Sequence, residues 1–302
     1  MRSLRYNPLT RATFHIREPH YLAVIGHLAI DTIYHPNFTI DSSPGGSAAA
    51  IATASVQLGI GTSIHSKVGR DFPRDWLAVL ENLGVDTSDV EVSDKKKNLH
   101  VEIKYDDKGN LEDIKCNDRV SDELGVEGLA NYEAIHICPA KPENQQKLIL
   151  DLKDRCDTLS ISFSEFFLDD YAKKNYFDSV DWKNLHIVFL NEKEAFATTQ
   201  EKNPEDTAYK FHDEGVDCVV ITLGKKGSLV FNGSEIHRIN AREVVVIDPT
   251  GCGDSYIGGF LGEYLATKDI KKAASMGTYM ASLTAQKKGA WAALLSDAGI
   301  RF

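Results

Sequence analysis

The chain has 302 residues, of which 42% are hydrophobic and 26% charged, so it is long enough to bury a large core and is not a disulfide-stapled miniprotein. Its 34 Lys and Arg and 44 Asp and Glu give a formal net charge of −10, which argues against a nucleic-acid partner. No apolar run reaches the roughly 18 residues needed to span a bilayer, and the first residues lack a signal-peptide core, so we expect a cytoplasmic protein without a membrane partner.

Short apolar runs alternate along the chain with stretches typical of helices. We expect the charged first twenty residues to extend from the fold, and no linker divides the rest, so we expect a single domain over residues 1–302. Continuous apolar runs indicate strands buried on both faces, so the alternation predicts a layered α/β fold with a parallel sheet. The predicted strands are Tyr21–Ile25, Ala134–Cys138, Leu159–Phe163, His186–Leu190 and Cys218–Leu223, followed by a hairpin of Ser228–Phe231 and Ser234–Ile239 with a type I′ turn at Asn232-Gly233. The predicted helices are Ala48–Leu58, Pro142–Lys153, Glu192–Thr198, Ala208–Glu214, Cys252–Ala266 and Ile270–Gln286.

Two polar, strand-like stretches interrupt this alternation, at about residues 31–43 and 90–115. Within the second, His100–Tyr105 alternates polar and apolar residues, and Asp106–Gly109 supplies a turn. The two stretches predict either a small β-sheet lid inserted in the α/β core or an ordinary hairpin at the edge of the main sheet, and the spacing favours neither.

The segment from Val244 to Phe260 predicts a strand, a glycine-rich turn and a helix. The turn should expose free backbone N–H groups, which together with the helix dipole would stabilise an anion. Asp254 follows at once, and an acid beside an anion hole suggests a general base that takes a proton from a hydroxyl during phosphoryl transfer. A helix cap with a tight turn explains the same local pattern equally well.

A second glycine-rich site, Gly45-Gly46, enters the next helix at Ser47. Glycine lets a ligand approach the backbone closely. Taken alone, the small residues Ser47–Ala50 favour a helix packed tightly against the sheet. The two glycine sites together favour a binding site.

Seven short motifs follow one another over residues 21–290: Gly26–Asp31, Pro44–Gly46, Val68–Asp71, Asn191–Glu194, Thr222–Gly227, Asp248–Asp254 and Lys288–Ala290. In this order they resemble the PfkB, or ribokinase-like, carbohydrate and nucleoside kinases. The resemblance implies a ribokinase-like, doubly wound, mostly parallel sheet flanked by helices, with a small β-sheet lid. It also implies ATP as co-substrate and Mg2+ as cofactor.

The resemblance implies a role for each matching residue. Asp254 matches the catalytic base. Gly251, Cys252 and Gly253 match the anion hole, Asp31, Gly45, Gly46 and Ser47 the acceptor site, Asn191 and Glu194 the motif that orders Mg2+ and its waters, and Thr222, Gly224 and Gly227, with Asn191, the ATP site. Asn191 with Glu194 is also a capping box, which we favour if the other motifs are set aside. Thr222–Gly227 in isolation is a turn between strands.

Asp248, Thr250 and Gly289 match a loop pair that holds a monovalent cation in many relatives, so K+ is a candidate cofactor. Unpaired strand edges of the lid make it a candidate surface for a homodimer.

Departures from the ribokinase pattern concern the acceptor. Ribokinases continue the double glycine with Lys-Gly-Ala-Asn, whereas this chain has Ser47–Ala50, and an Asn two residues before Asp31 is replaced by Ala29. A less polar pocket suits a nucleobase, and the pattern is most similar to the archaeal-type nucleoside kinases. We therefore expect phosphorylation of a nucleoside 5′-hydroxyl. The alternatives are a sugar kinase acting on ribose, a fructose phosphate or a sugar acid, and a non-catalytic nucleotide-binding module.

Cys252 stands where the family usually has Ala. A thiol at a helix N-terminus is expected to ionise readily, which predicts activity sensitive to alkylation.

Overall fold

A computed structural model describes residues 21–117, 124, 126, 129, 132–173 and 176–291. The extension predicted for residues 1–20 lies outside these ranges. The strands are β1 (Tyr21–Ile25), β2 (Ala29–His35), β3 (Phe38–Gly45), β4 (Gly61–Gly69), β5 (Val85–Asp86), β6 (Val90–Ser93), β7 (Leu99–Tyr105), β8 (Leu111–Cys116), β9 (Ala134–Ile137), β10 (Thr158–Ser162), β11 (Ile187–Asn191), β12 (Cys218–Thr222), β13 (Ser228–Phe231) and β14 (Ile236–Ile239). The helices are α1 (Ser47–Val56), α2 (Arg74–Asn82), α3 (Pro142–Leu152), α4 (Leu168–Tyr171), α5 (Tyr176–Ser179), α6 (Glu192–Thr199), α7 (Pro204–Asp213), α8 (Cys252–Thr267) and α9 (Ile270–Ala285).

The main sheet has the order β14-β13-β12-β11-β10-β9-β1-β4-β5, with β6 paired to β4. Its strands are parallel except at the edge, where β13 runs antiparallel to both of its neighbours. Alternate residues of β1 enter different cores: Leu22 and Val24 pack on the face that holds α1, α8 and α9, whereas Ala23 and Ile25 face α3, α6 and α7. Burial on both faces explains the continuous apolar runs, and the doubly wound, mostly parallel fold is confirmed.

A separate small sheet with the order β3-β2-β7-β8 forms the lid. It begins where β2 leaves the core, and β7 returns parallel to β2 with His100 beside Ile30. Of the two interpretations of the polar stretches, the lid is therefore correct. The predicted lid was too long at one point, because Val90–Ser93 pairs with β4 and extends the main sheet.

The predicted strand Val244–Ile247 does not form. Val245 and Val246 are 80% and 58% exposed, and the backbone N–H groups of Ile247 and Asp248 donate to the carbonyl of Ala285 at the end of α9. An apolar, β-branched run favours a strand only where a neighbouring strand can pair with it, and here a helix end takes the place of that neighbour.

The predicted type I′ turn at Asn232-Gly233 is also wrong. Phe231 pairs with Ile236, so four residues connect the two strands. The side-chain oxygen of Asn232 accepts the backbone N–H groups of Ser234 and Glu235, which closes a longer loop of the kind that Asn favours.

The helix α2, which the sequence patterns did not reveal, buries Trp76 and Leu80 one turn apart. No helix in the described ranges is both long and apolar enough to cross a bilayer.

Candidate active site

The candidate site residues gather at the carboxyl ends of the parallel strands. Asn191 ends β11 and Thr222 ends β12, and the two residues are neighbours in register. In open α/β sheets ligands bind at this edge, where loops leave strands that the core holds rigidly. Motifs that lie far apart in the sequence are thereby placed side by side.

The α8 turn, residues Asp248–Gly253, leads into α8. Gly251 precedes the helix with φ +76°, and a Cβ there would lie 2.9 Å from the Cα of Ala290, so glycine satisfies both the backbone angle and the close approach. Of the predicted anion-hole residues, Cys252 is not available as a backbone donor, because its N–H donates to the carbonyl of Pro249 at 3.1 Å. No chain acceptor among the described residues takes the backbone N–H of Gly253. A Cβ added at Gly253 would meet nothing within 4 Å. The turn therefore offers an open space with a free donor at a helix N-terminus, as an anion requires.

Asp254 lies in the first turn of α8, beside that space. Burial raises its pKa to about 6, although a hydrogen bond from the Ser47 hydroxyl acts in the opposite direction. Because Ser47 begins α1, this bond joins the starts of the two helices that follow the glycine-rich turns. The structure thus brings the two glycine sites together.

Asp31 lies on the lid strand β2 and is only 4% exposed. Its pKa is raised to about 8, mainly by burial and in addition by the nearby carboxylates of Asp254 and Asp248. None of the described residues donates a hydrogen bond to its carboxyl group. A Cβ at residue 45 would collide with this carboxyl group, so Gly45 leaves the space that Asp31 occupies. A buried carboxyl group without a donor is unfavourable unless a ligand supplies one.

Asn191 and Glu194 form a complete capping box at the start of α6. Glu194 accepts the backbone N–H of Asn191 at 2.8 Å, while burial raises its pKa to about 8 and the charges of Glu165 and Asp254 add to the rise. Glu165 accepts the side-chain N–H of Asn191 at 3.0 Å. Asn191 and Glu194 therefore cap α6 and also belong to a group of side-chain oxygens that lies near Asp254. Among the described residues, no cluster of three or more His, Cys, Asp or Glu side chains is arranged to hold a metal ion directly.

The loop after β12 carries Thr222, Gly224 and Gly227. Thr222 donates to the carbonyl of Leu190 at 3.4 Å, which ties the loop to β11. Gly224 has open space where a side chain would project, whereas a Cβ at Gly227 would collide with the carbonyl of Ile239. The loop is thus a turn between strands, as its isolated pattern suggests, with one open position beside the Asn191 cap.

Asp248 is fully buried and holds two loops together. Its oxygens accept the backbone N–H groups of Thr250 and Gly289, each at 2.8 Å. His35 of the lid reaches the same carboxylate at 3.2 Å. Of the three residues predicted for a monovalent cation, Thr250 and Gly289 are therefore both bonded to Asp248.

The expectation of an easily ionised Cys252 thiol is wrong. Its pKa is raised to about 12, mainly by burial and in addition by the neighbouring carboxylates of Asp248 and Asp254. The effect of the helix N-terminus is outweighed because the thiol is buried and because two carboxylates lie near it. Fast alkylation at neutral pH is no longer expected.

The sequence reasoning missed two residues at the site, Glu165 and His35, and did not predict that Tyr105 of the lid contacts the α8 turn. Glu165 follows β10 closely, so its place at a carboxyl end was a usable signal. His35 and Tyr105 end the lid strands β2 and β7, and their contacts with the α8 turn depend on how the lid docks, which no local pattern reveals.

Comparison with known proteins identifies the family. The chain matches the pfkB family carbohydrate kinases over residues 19–297. It is 32% identical over 276 residues to the cytidine kinase of Thermococcus kodakarensis, a match that covers 89% of this chain and 98% of that protein. It is 29% identical over 287 residues to a nucleoside kinase of Methanocaldococcus jannaschii, covering 89% of this chain and 91% of the relative.

The fold comparison agrees with the sequence comparison. A crystal structure of the Methanocaldococcus jannaschii nucleoside kinase, described as an archaeal member of the ribokinase family, superposes with a TM-score of 0.74 at 25% identity. The superposition covers 90% of this chain and 93% of that one.

Proposed function

The chain belongs to the pfkB family of carbohydrate kinases and is a phosphotransferase, and on that premise we propose that it transfers the γ-phosphoryl group of ATP to the 5′-hydroxyl of a nucleoside. The observation that carries the catalytic part is the pairing of Asp254 with the open N–H donor of Gly253 at the start of α8. The nucleoside part is supported by the named activities of the relatives.

Asp254 is the proposed general base. With a pKa of about 6 it is mostly ionised at neutral pH, yet it holds a proton more strongly than an exposed carboxylate does. It would accept the proton of the attacking hydroxyl as the new O–P bond forms and the bond to ADP breaks. The N–H groups of the α8 turn would then stabilise the charge on the transferring phosphoryl oxygens.

Asp31 is the proposed acceptor-binding residue. Its buried carboxyl group lacks a donor within the described residues, and the hydroxyls of a ribose would supply one. Gly45 and Gly46 leave room for the Asp31 carboxyl group and for the carbonyl of His27, and the first turn of α1 after Ser47 carries only alanines. This arrangement suits a molecule with one polar and one flat apolar end, as a nucleoside has.

Asn191 and Glu194 are the proposed magnesium-side residues, with Glu165 beside them. Their carboxylate and amide oxygens are the ligand type that Mg2+ prefers, and the mutual repulsion of Glu165, Glu194 and Asp254 would be relieved by a cation. When bound with ATP, the ion would neutralise phosphate charge. Thr222 and the open position at Gly224 would admit the nucleotide, whereas Gly227 lets the same loop pack closely against Ile239.

The deciding experiment measures ADP release from ATP and Mg2+ by the purified protein. The acceptor panel contains the common nucleosides, ribose, fructose phosphates and sugar acids, and the matched control is Asp254→Asn. We expect release with nucleosides that Asp254→Asn abolishes. Release with sugars only would make the protein a sugar kinase. No ADP release with any acceptor would favour a non-catalytic nucleotide-binding module.

The same assay tests the finer cation proposal. Potassium chloride is compared with choline chloride at equal ionic strength. Faster turnover with potassium would support a cation at Asp248, Thr250 and Gly289, and equal rates would remove it from the mechanism.

A further inference from the structure

Two side chains of the lid reach the α8 turn directly. His35, at the end of β2, lies with its Nε2 3.2 Å from the Oδ1 of Asp248. Tyr105, at the end of β7, accepts a hydrogen bond from the Thr250 hydroxyl at 3.0 Å. The two contacts come from different lid strands and meet the turn at residues only two apart.

These side chains also support each other. The rings of His35 and Tyr105 stack with their centroids 4.7 Å apart and an interplanar angle of 15°. The ring of Phe38 also contacts His35, with a centroid distance of 4.4 Å. The His35 side chain is 7% exposed and that of Asp248 is fully buried. The contact is therefore shielded from water, which strengthens a polar interaction.

The carboxylate that His35 touches also organises the turn. Asp248 accepts the backbone N–H groups of Thr250 and Gly289, and these bonds set the loops on either side of Gly251. Because Gly251 leads directly to the free N–H of Gly253, a shift of Asp248 would move the donor that faces the phosphoryl group. The lid is thus linked to the turn of the proposed anion hole by hydrogen bonds from His35 to Asp248 and from Thr250 to Asp248.

We propose that His35 and Tyr105 are positioning residues that couple the lid to the α8 turn, so that the anion hole is held in its working geometry when the lid is docked as seen here. The proposal rests on the proposed function for its catalytic meaning. In physical terms it makes the lid more than a cover that excludes water: with the lid undocked, Asp248 loses one donor and Thr250 loses its acceptor. Acceptor binding on the lid would then favour phosphoryl transfer at the turn.

The test uses two variants and a matched control. Tyr105→Phe removes only the hydroxyl that accepts from Thr250, and His35→Phe keeps a stacking ring while removing the contact to Asp248. Tyr34→Phe makes the same change as the first variant at an exposed position on the same lid strand as His35. If His35→Phe does not fold, Tyr105→Phe and its control still decide the question.

Backbone hydrogen exchange at Thr250 and Gly289 is measured first, without ligands. Both variants should exchange about fivefold faster at these two amides, as expected for the loss of one hydrogen bond, while Tyr34→Phe should match the unchanged protein. The kcat should fall about five- to tenfold with the KM for ATP within about twofold, because the ground-state nucleotide contacts are intact.

Unchanged exchange at Thr250 and Gly289 in Tyr105→Phe would overturn the coupling, as would equal effects in Tyr34→Phe. Faster exchange with unchanged kcat would show a purely structural contact and would also overturn it. The two proposals fail separately: a protein that phosphorylates no nucleoside loses the proposed function, whereas the exchange measurement still decides whether the lid holds the turn.

Discussion

The proposed phosphate side and the proposed acceptor side of the site are built in different ways. On the phosphate side, the α8 turn, Asn191 and Thr222 are attached to helices and strands of the main core. On the acceptor side, Asp31 belongs to a lid sheet in which buried residues are interspersed with exposed ones. The chemistry common to a family is thus carried by rigid elements, and the part that meets a variable acceptor is carried by a small sheet with few core contacts.

Electrostatics distinguishes the two sides as well. Asp254 has its pKa raised to about 6 and Asp31 to about 8. The Ser47 hydroxyl stabilises the charge of Asp254, whereas Asp31 has no donor within the described residues and faces two like charges. At neutral pH the first carboxyl group is therefore suited to accept a proton and the second to bind a hydroxyl.

The largest expected effect comes from removing the base on the phosphate side. Asp254→Asn should lower kcat about a thousandfold, since a positioned general base contributes up to that order. The Kd for ATP should change by less than about threefold, because the nucleotide contacts lie elsewhere. Acceptor-dependent ADP release and nucleotide binding by calorimetry measure the two effects. Turnover within tenfold of the unchanged protein would contradict the role of Asp254.

Asp31→Asn should act on the acceptor side alone. Loss of the carboxyl group that would meet the substrate hydroxyls should raise the KM for the nucleoside about 10- to 100-fold. The KM for ATP should stay within about twofold. Asp41→Asn, which changes an exposed lid carboxylate, is the matched control. An equal rise in the KM for the nucleoside and the KM for ATP would contradict the assignment of Asp31 to the acceptor side.

The two glycines of the α8 turn should separate stability from chemistry. Gly251→Ala should cost about 1–2 kcal/mol of unfolding free energy, because φ is +76° and Ala290 leaves no room. Gly253→Ala faces open space and should leave stability unchanged or slightly higher, yet lower kcat about tenfold by intruding on the anion's space. Urea unfolding and steady-state kinetics are the measurements. A loss of stability in Gly253→Ala with unchanged kcat would show that Gly253 is needed for the fold and not for the reaction.

Stability should depend on pH through Asp31. Since its pKa rises from 3.8 in the unfolded chain to about 8 in the fold, the folded state binds the extra proton between those values. The contribution of Asp31 to the free energy of unfolding is therefore fully present below about pH 4 and is lost as pH rises to about 8. Asp31→Asn should be the more stable protein at pH 8 by roughly 1–3 kcal/mol, and the difference should shrink at pH 5. A difference that does not change with pH would contradict the buried, unpaired carboxyl group.

The smallest effect is expected at Cys252. With a thiol pKa of about 12, the side chain is neutral at pH 7.5, and Cys252→Ala should change kcat by less than about threefold. Iodoacetamide should modify Cys252 slowly, followed by mass spectrometry of the intact and digested protein. Rapid modification with parallel loss of activity would restore the idea of an activated thiol.

Local patterns in the sequence were sufficient for the α/β core, the capping box at Asn191 and the glycine turn at Gly251. The fold class is determined this way because continuous apolar runs must be buried on both faces. The turn and cap follow from residues only a few positions apart, so their backbone needs are visible in the sequence.

Only the tertiary structure decided which of these parts act together. The distance in sequence from Asp31 to Asp254, and from His35 or Tyr105 to the α8 turn, is bridged by the docking of one sheet on another. Packing also overrode local expectations at Val244–Ile247, which bonds to the end of a helix, and at Cys252, whose ionisation is suppressed by burial and by nearby carboxylates. Propensity and pattern report the needs of neighbouring residues, whereas burial and charge depend on residues brought close by the whole fold.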